Sequence, residues 1–375
     1  MEKEILLSIA IPTYNRAKSL ENLLRGLLPQ VKKREREVEI CISDNGSEDS
    51  TREVVMNFEN EYPGLLRYRT NEKNLGIDKN ILLVMEMSRG EFIWTLGDDD
   101  TIAENAVEEI IEFTGHNKNA GLIVMKEETY FIDTQTGQRT FYHSTLNKNK
   151  AGVFTIEKKD IIGLSFPEIA FMSVLVFNNA IIKKIFAEDM SVIESGIGTH
   201  HVHIPLCALI FLKYSTLDAI AFNIHPIVYR ELPRFKFFIE DKFMLHYRVQ
   251  KEINKIVLSY NNIADYAPMI VRGDKRLTMV FAKDMAIMRA FGTFNYFSYA
   301  GCLKLFFREA SLADALLFSF IFLTLSITPP AFLASLYKVL LIARHGKNWK
   351  MQWDVLYSVS SITTSGTRRR NDLGK

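Results

Sequence analysis

Four short apolar runs punctuate the first hundred residues of the chain. They lie at Leu6–Ile11, Val38–Ile42, Leu65–Tyr68 and Phe92–Leu96. Runs of this length, bounded by turn-forming residues, are typical of strands that are buried on both faces of a sheet. The stretches between them carry apolar residues at helical spacing, as in Leu20–Leu28. This alternation predicts an α/β fold, doubly wound around a mostly parallel sheet.

Helices are expected between these strands. Short polar side chains accept hydrogen bonds from the free N–H groups at helix N-termini. Ser19 is therefore the expected cap of the first helix, and Asp49 or Ser50 is expected to start the second. The third helix is predicted over Ile77–Met87.

Further along the chain the pattern predicts four more features. A helix is expected over Ala103–Phe113 and a strand over Gly121–Lys126. The polar segment Asp133–Gln138 has the composition of a hairpin tip. An apolar helix is predicted over Leu206–Lys213.

A polar, turn-forming segment follows each of the first four strands. The segments are PTYNR at 12–16, SDNGS at 43–47, NEKNLG at 71–76 and GDDD at 97–100. The carboxyl ends of parallel strands lie along one rim of the sheet, and that rim is where open α/β sheets bind ligands. We therefore expect the four segments to converge on one site.

The fourth segment is strongly acidic. Asp98, Asp99 and Asp100 directly follow the apolar run of the fourth strand. Adjacent carboxylates repel one another unless a positive charge lies among them. Mg²⁺ and Mn²⁺ prefer hard oxygen ligands and commonly bridge to substrate phosphates. The three aspartates thus predict a divalent metal site, with a solvated acidic turn that caps the next helix as the alternative.

Composition and charge narrow the class of protein. The chain has 375 residues and a formal net charge of +2, so no strong positive electrostatic field attracts it to nucleic acid. Cys41, Cys207 and Cys302 are isolated, and the first two lie in apolar runs typical of small core residues. Three cysteines are few and cannot all pair, which indicates a reducing compartment. The apolar stretch near the N-terminus is too short for a signal peptide, so we expect the catalytic part to face the cytoplasm.

Four motifs in register, SIAIPTYNR, ISDNGSEDST, NLGIDKN and LGDDD, resemble the nucleotide-sugar-binding half of family-2 glycosyltransferases. The resemblance covers roughly Ser8–Phe113. It implies a GT-A fold, Rossmann-like and mostly parallel, of the nucleotide-diphospho-sugar transferase type. Within this family the chain looks most like the abequosyltransferase-type enzymes of lipopolysaccharide O-antigen assembly.

The resemblance assigns the first two motifs to the nucleoside. Pro12, Thr13 and Tyr14 would close the first strand beside the nucleobase and ribose. Asp44 would accept a hydrogen bond from a pyrimidine ring N–H or a ribose hydroxyl. An ordinary turn over Asp44–Ser47 is the alternative.

The other two motifs would meet the ribose and the diphosphate. Asn74 and Gly76 lie in the third motif, where a glycine permits close backbone approach to ribose or diphosphate. Arg16 and Lys79 can bind phosphate, although an ordinary surface role is as good an interpretation for each. Asp98 is expected nearest the ribose.

The acidic motif departs from the family's usual pattern, Asp-x-Asp-Asp. When Asp99 and Asp100 are aligned with its last two positions, the first falls on Gly97. Asp98 can take over that role through a one-residue shift. The metal would then be held by Asp98 with Asp99 or by Asp98 with Asp100, and Asp99 or Asp100 is expected as the direct ligand.

The catalytic base is expected near residue 200. Ile224–Arg230 resembles the family's closing strand. Counting back from that strand, members of the family usually have Glu-Asp before a helix, and the Asp is the base. This chain instead has His200, His201 and His203. An imidazole can do the same work because its pKa lies near neutral pH. Glu194 is the carboxylate alternative, and a zinc site or a histidine-capped helix start are the other interpretations.

The expected domains end in a membrane-associated region. From Ala315 to Ala343 the single charge is Lys338, and Pro329-Pro330 interrupts the run. Basic residues flank both ends, which favours a re-entrant hairpin or two interfacial helices over one crossing. A buried hairpin in a soluble protein is the alternative.

The predicted domains are 1–232 (donor half 1–115, acceptor half 116–232), an amphipathic helical region 233–312, an apolar hairpin 313–346 and a basic, partly disordered tail 347–375.

The resemblance implies a glycosyltransferase that inverts the configuration of the transferred sugar. Its partners would be a nucleotide-diphosphate sugar, a lipid-linked oligosaccharide acceptor and the membrane surface, but no nucleic acid. The sugar would be of the deoxyhexose class, and the cofactor Mg²⁺ or Mn²⁺. The protein would act on the cytoplasmic face of the inner membrane, as a peripheral or monotopic protein. A nucleotidyltransferase and a non-catalytic nucleotide-sugar-binding membrane subunit are the alternatives.

Overall fold

The computed structural model describes residues 5–132, 139–144, 146, 151–156, 169, 171–194, 196–198, 200–214 and 218–233, together with individual positions between 316 and 336. The chain divides into two compact units. One comprises Met1–Pro233 and Arg248–Met269, and the other comprises Arg234–Tyr247 and Ile270–Lys375. The predicted boundaries at 115, 232, 312 and 346 stay predictions.

Twelve strands form two sheets in the described part of the first unit. They are β1 Leu7–Thr13, β2 Val38–Asp44, β3 Leu66–Thr70, β4 Phe92–Thr95, β5 Thr101–Ile102, β6 Ala120–Met125, β7 Glu127–Ile132, β8 Arg139–Ser144, β9 Gly152–Thr155, β10 Leu175–Asn178, β11 Asp218–Asn223 and β12 Val228–Pro233. The larger sheet has eight strands in the order β3-β2-β1-β4-β10-β6-β11-β9, and the smaller has the order β5-β12-β7-β8.

The first four strands of the larger sheet pair in parallel, as the apolar runs predict. β1 lies between β2 and β4, and β2 pairs with β3. β10 then runs antiparallel to both β4 and β6, while β11 is parallel to β6. Every residue of β1, β2 and β4 is buried, because helices cover both faces of such a sheet.

The described helices are α1 Ala17–Lys33, α2 Thr51–Glu61, α3 Ile77–Met87, α4 Ala106–His116, α5 Asn179–Glu188, α6 Met190–Glu194 and α7 His203–Leu212, with a 3₁₀ turn at Met172–Val174. The prediction for α3 is confirmed residue for residue. Ser50 precedes α2, as expected.

The prediction that Ser19 caps α1 is wrong, because the helix begins two residues earlier at Ala17. The reason is a tertiary contact. The backbone N–H of Ala17 donates to Asp49 Oδ2 at 3.0 Å, so a carboxylate from the second motif satisfies the first turn of α1. Ser19 lies inside the helix instead.

Later elements are shifted by a few residues from their predicted bounds. α4 begins at Ala106 rather than Ala103, and β12 begins at Val228 rather than Ile224. β7 and β8 pair as an antiparallel hairpin, but its predicted tip at 133–138 lies outside the described residues. The helix predicted at Leu206 begins at His203, so one of the candidate bases belongs to it.

Two cysteines are core residues, as expected. Cys41 in β2 and Cys207 in α7 are both fully buried, with unpaired thiols. Burial raises the pKa of Cys41 to about 12 and also raises that of Cys207, so neither is a reactive thiol. Cys302 lies outside the described residues.

The predicted C-terminal regions fall mostly outside the described residues. Within 316–336, several large apolar side chains at helical positions are exposed, among them Leu316, Phe320, Leu323 and Ile327. No helix within the described positions combines the length and hydropathy that a membrane crossing needs. The proposed hairpin at 313–346 and the tail at 347–375 stay predictions.

Candidate active site

The polar ends of the first four strands lie together, as predicted. In the strand register Thr13 is paired with Asp44, and Asp44 with Thr70. β4 flanks β1 on its other side and leads directly into the acidic turn. One rim of the sheet therefore collects all four motifs.

Two residues of the first motif bind the acidic turn. The Thr13 hydroxyl donates to Asp98 Oδ2 at 2.7 Å, and Arg16 Nη1 donates to Asp98 Oδ1 at 3.1 Å. The same Arg16 nitrogen also donates to Asp99 Oδ2. Thr13 and Asp98 are buried, whereas Arg16 and Asp99 are exposed. The guanidinium thus supplies the positive charge that the sequence requires among these carboxylates.

Burial and charge act against each other at Asp98. Desolvation raises the pKa of Asp98 to about 6, and the nearby positive charge of Arg16 partly opposes this shift. Burial lowers the pKa of Arg16, but Asp98 and Asp99 outweigh it and the net pKa is raised. The pair is therefore held together by charge at neutral pH.

Asp100 faces the protein interior. Its Oδ2 accepts a hydrogen bond of 2.5 Å from the Ser173 hydroxyl, and its Oδ1 is buried without a hydrogen-bond partner among the described residues. Burial and, next, the charge of Asp99 raise the pKa of Asp100 to about 8. A buried carboxylate oxygen without a partner is costly. It is a group that a bound cation would satisfy.

Gly97 makes this arrangement of Asp100 possible. A Cβ at Gly97 would lie 2.6 Å from Asp100 Oδ2 and 3.3 Å from Ser173 Oγ. The family's usual aspartate cannot occupy this position while Asp100 keeps its contact with Ser173. The Gly97 N–H also donates to Ser173 Oγ at 2.8 Å. The departure of the acidic motif from the family pattern therefore has a steric basis.

Ser173 is a site residue that sequence reasoning missed. Its 3₁₀ turn is held against β4, since Thr95 Oγ1 donates to the Met172 carbonyl at 2.7 Å and Trp94 Nε1 to the Ser173 carbonyl at 2.8 Å. Ser173 lies 73 positions after Asp100 in the chain. Phe166–Phe177 resembles the family's donor-sugar wall, but the sequence does not single out Ser173 within that stretch.

Arg230 is a second positive charge near Asp100. Its guanidinium carbon lies 4.7 Å from the centre of the Phe171 ring, a cation–π geometry. Its charge lowers the pKa of Asp100 but does not overcome burial. The sequence places Arg230 at the end of a predicted strand and gives no sign of this role.

The three aspartates do not converge on one point. Asp98 contacts Thr13 and Arg16, Asp99 contacts Arg16, and Asp100 contacts Ser173. Across the described ranges, no three His, Cys, Asp or Glu side chains form a group that could hold a metal ion. The metal pair expected from the sequence, Asp98 with Asp99 or Asp98 with Asp100, stays a prediction. The residues still fit a hard divalent cation, because Asp100 Oδ1 has no hydrogen-bond partner among the described residues and the carboxylates of the turn offer oxygen ligands.

Asp44 is buried at the end of β2. Its carboxylate accepts hydrogen bonds from the Tyr68 hydroxyl at 2.6 Å and from the Ser47 N–H at 2.9 Å. Burial, with help from Asp44, raises the pKa of Tyr68, so the phenol stays a donor. Tyr68 is a further residue that sequence reasoning missed. The nucleobase contact of Asp44 stays a prediction.

Asparagine side chains join the second and third motifs. Asn45 Nδ2 donates to Asn74 Oδ1 at 2.8 Å, and Asn45 Oδ1 accepts from the Leu75 N–H at 2.9 Å. The Gly76 N–H donates to Asn74 Oδ1 at 2.8 Å. Gly76 has φ +87°, a left-handed conformation that favours glycine. Asn74 therefore shapes the loop that leads into α3.

Asn80 fastens α3 to the rim. Its Nδ2 donates to the carbonyls of Ser43 and Thr13 at 2.8 and 3.3 Å. Its Oδ1 accepts from the Ser43 hydroxyl at 2.7 Å.

Two other residues of the predicted nucleotide site, Tyr14 and Lys79, are exposed, whereas Pro12 is buried within β1.

The histidines lie in a loop that leads into α7. His200 is exposed, His201 is half-buried and His203 is buried at the start of the helix. The sequence allows either His200 or His201 to share a side with His203. The structure pairs the rings of His201 and His203, whose centroids are 5.5 Å apart. Glu194, at the end of α6, is exposed. The choice of base among these residues stays a prediction.

The sequence comparisons agree with the motifs. Residues 8–172 match the profile described as Glycosyl transferase family 2. Abequosyltransferase RfbV of Salmonella typhimurium is 41% identical over 103 residues, 28% of this chain and 31% of that protein. The GalNAc(5)-diNAcBac-PP-undecaprenol beta-1,3-glucosyltransferase of Campylobacter jejuni is 28% identical over 106 residues, 28% of this chain and 33% of that protein. The chain therefore matches about a third of the length of these curated relatives.

Solved structures share the fold. Staphylococcus aureus TarS 1-349 in complex with UDP has a TM-score of 0.51 and 15% identity, over 96% of this chain and 92% of that one. Mannosyltransferase PcManGT from Pyrobaculum calidifontis, in complex with GDP-Man and Mn²⁺, has a TM-score of 0.50 and 12% identity, over 96% and 87%. The expected GT-A α/β fold, with its mainly parallel sheet, is confirmed.

Proposed function

We propose that the chain transfers a sugar from a nucleotide-diphosphate sugar to a hydroxyl of a lipid-linked glycan, on the premise that residues 8–172, which match the family-2 glycosyltransferase profile, form a domain of that family. The observation that carries the proposal is the contact between the first and fourth motifs. Thr13 and Arg16 bind the acidic turn at the carboxyl rim of a parallel sheet, where α/β folds bind nucleotides.

The donor lies along this rim. Its nucleobase meets Asp44, whose two carboxylate oxygens each have room for more than one hydrogen bond. Its ribose lies near Asp98 and Thr13. Arg16 binds the diphosphate, because a planar guanidinium suits phosphate oxygens. Two neighbours in fold were solved with UDP and with GDP-Man, which supports a nucleotide at this site.

Asp98 with Asp100 would hold a divalent cation, and Asp98 with Asp99 is the alternative pair. When bound, Mg²⁺ or Mn²⁺ offsets the negative charge that develops on the departing diphosphate. The Oδ1 of Asp100, which has no hydrogen-bond partner among the described residues, supports this assignment, as does the Mn²⁺ in the mannosyltransferase structure.

A histidine takes the proton of the acceptor hydroxyl. As the proton moves to the imidazole, the hydroxyl oxygen attacks the anomeric carbon and the bond from that carbon to the diphosphate breaks. This single displacement inverts the configuration. We favour His201, because His203 is buried and His200 is exposed. Glu194 is the carboxylate alternative.

The acceptor is a lipid-diphosphate-linked oligosaccharide at the cytoplasmic face of the inner membrane. Support comes from the name of the Campylobacter relative, which includes PP-undecaprenol, and from the apolar stretch between Ala315 and Ala343. A peripheral or monotopic attachment fits the basic flanks of that stretch. The abequosyltransferase match supports a deoxyhexose donor.

A product analysis tests the proposal. The full-length protein is incubated with Mn²⁺, a panel of labelled nucleotide sugars and undecaprenyl-diphosphate-linked saccharides. Acceptor-dependent release of nucleoside diphosphate with label in the lipid fraction is the expected result. Release of inorganic diphosphate would instead indicate a nucleotidyltransferase. Saturable donor binding without turnover under every condition would indicate a non-catalytic subunit.

A further inference from the structure

The loop that carries the histidines is anchored by one buried carboxylate, that of Asp78. Asp78 Oδ2 accepts hydrogen bonds from the backbone N–H groups of Gly198 at 2.8 Å and His200 at 3.0 Å. Its Oδ1 accepts from the N–H of Val202 at 3.1 Å. The donors lie 120 to 124 positions further along the chain. Asp78 is 2% exposed, so water cannot replace these bonds.

The bonded loop has an unusual backbone shape. Gly198 has φ +90° and His200 has φ +62°. The left-handed region is unfavourable for a residue with a side chain, so the conformation at His200 must be stabilised by its surroundings. Alternate N–H groups that converge on one anion provide that stabilisation, since hydrogen bonds to a charged acceptor are strong.

From this geometry we infer that Asp78 is the positioning residue of the acceptor side. It fixes the backbone on both sides of His201, because His200 and Val202 are both bonded to it. The direction of the His201 Cα–Cβ bond then follows from the fixed backbone. The inference rests on the proposed function in so far as His201 is the base. The contact between Asp78 and the loop is independent of it.

The same helix also holds the donor side. Asn80, two residues after Asp78, donates to the carbonyls of Thr13 and Ser43 on the rim. Residues two apart on a helix project to different sides. The first turn of α3 therefore joins the rim that carries the donor to the loop that carries the base, and it sets the distance between them.

Hydrogen–deuterium exchange of the full-length protein, without ligand, tests the contact. In Asp78→Asn one amide oxygen replaces the two carboxylate oxygens, and the amide NH₂ faces Val202 N–H as a second donor. We expect the amides of Gly198, His200 and Val202 to exchange about tenfold faster or more, while β1 keeps its protection. Unchanged exchange at these three amides overturns the inference. If Asp78→Asn does not fold, Asp78→Glu, which keeps the charge but displaces it, is measured in its place.

Glu39→Gln is the matched control. Glu39 is also a buried carboxylate and accepts the Arg89 N–H at 2.8 Å. It lies near the start of β2, roughly 16 Å along the strand from Asp44 at the rim. This variant loses one buried charge as Asp78→Asn does, so it reports the effect of general destabilisation. The histidine loop should keep its protection in Glu39→Gln.

Kinetics then separate positioning from mere support of the fold. With the donor and acceptor found in the product analysis, Asp78→Asn should lower kcat by about 10²-fold or more and leave the donor KM within about twofold. Asp78→Glu should recover part of kcat. Wild-type kcat in a variant whose loop exchanges fast overturns the positioning role. If the wild-type protein transfers no sugar, the proposed function fails, and the exchange result still decides whether Asp78 holds the loop.

Discussion

At the scale of single residues, Arg16 affects two kinds of binding at the acidic turn, that of a metal ion and that of a diphosphate. Its guanidinium bonds Asp98 and Asp99, the residues that the sequence assigns to a metal. A positive charge this close repels a divalent cation. The same charge attracts a diphosphate. We therefore expect Arg16 to weaken the binding of the metal alone and to strengthen the binding of the nucleotide together with the metal.

Arg16→Ala should bind Mn²⁺ more tightly than the wild-type protein when no nucleotide is present. We expect a decrease in Kd of about threefold to tenfold, because one repelling charge is removed close to the turn. The measurement is the electron paramagnetic resonance signal of free Mn²⁺ during titration. Lys18→Ala is the control, since it removes one positive charge that is paired with Glu21 instead. An equal change in both variants would show only an effect of net charge.

The buried Asp100 should make the stability of the metal-free protein depend on pH. Burial raises its pKa to about 8, above an ordinary value of about 4, so the folded state binds the proton more tightly than the unfolded state. The contribution of this group to stability is therefore complete below pH 4 and is lost as the pH rises towards 8. Asp98, with a pKa of about 6, acts in the same direction.

Asp100→Asn carries no charge at any pH and should escape most of this loss. In EDTA, the Tm of the wild-type protein should fall more than that of Asp100→Asn between pH 5 and pH 8.5. Added Mn²⁺ should raise the wild-type Tm mainly at the higher pH, because the metal binds the charged carboxylate. A parallel pH dependence of Tm in the two proteins would exclude Asp100 as its source.

At the scale of elements, the neighbouring strands β2 and β3 form the proposed nucleoside end of the site. Asp44 ends β2, and Tyr68, near the end of β3, donates to it. Asp44→Ala should raise the donor KM more than it lowers kcat, since a nucleobase contact is made equally in the ground and transition states. Initial-rate kinetics with the donor from the product analysis measure both constants.

Tyr68→Phe distinguishes a direct contact from support of the turn. It removes only the hydroxyl that bonds Asp44 and leaves the carboxylate in place. A direct nucleobase contact predicts a small change of donor KM in Tyr68→Phe and a large one in Asp44→Ala. If the two substitutions raise the donor KM alike, Asp44 acts through the turn and not on the base.

At the scale of the whole molecule, the nucleotide site and the apolar stretch fall in different compact units. The site lies within Met1–Pro233, while Ala315–Ala343 belongs to the other unit. Deletion of Ala315–Lys375 should therefore keep donor affinity within about threefold while moving the protein from the membrane fraction to the soluble fraction. Sedimentation of cell lysates with immunoblotting measures this distribution, and a donor titration of the purified protein measures the affinity. A truncated protein that still pellets with membranes would place the attachment elsewhere.

The sequence by itself determined the sheet and the rim. Continuous apolar runs must be buried on both faces, and short helical connections between such strands make the pairing parallel. The polar residues after Leu6–Ile11, Val38–Ile42, Leu65–Tyr68 and Phe92–Leu96 therefore had to meet at one edge. These inferences need only the local hydrophobic pattern and the right-handed crossover between parallel strands. They could therefore be made from the residues alone.

Only the tertiary structure decided which side chains complete the site. Ser173 reaches Asp100 across 73 positions, and Asp78 reaches the histidine loop across 120 or more. The start of α1 was also set from a distance, because Asp49 accepts the first N–H of that helix. Such a hydrogen bond depends on which distant residues the folded chain brings together. Hydrophobic periodicity describes local structure and carries no information about those pairs. The sequence therefore located the site at one rim of the sheet, and the fold selected the residues that hold its carboxylates and its histidines in place.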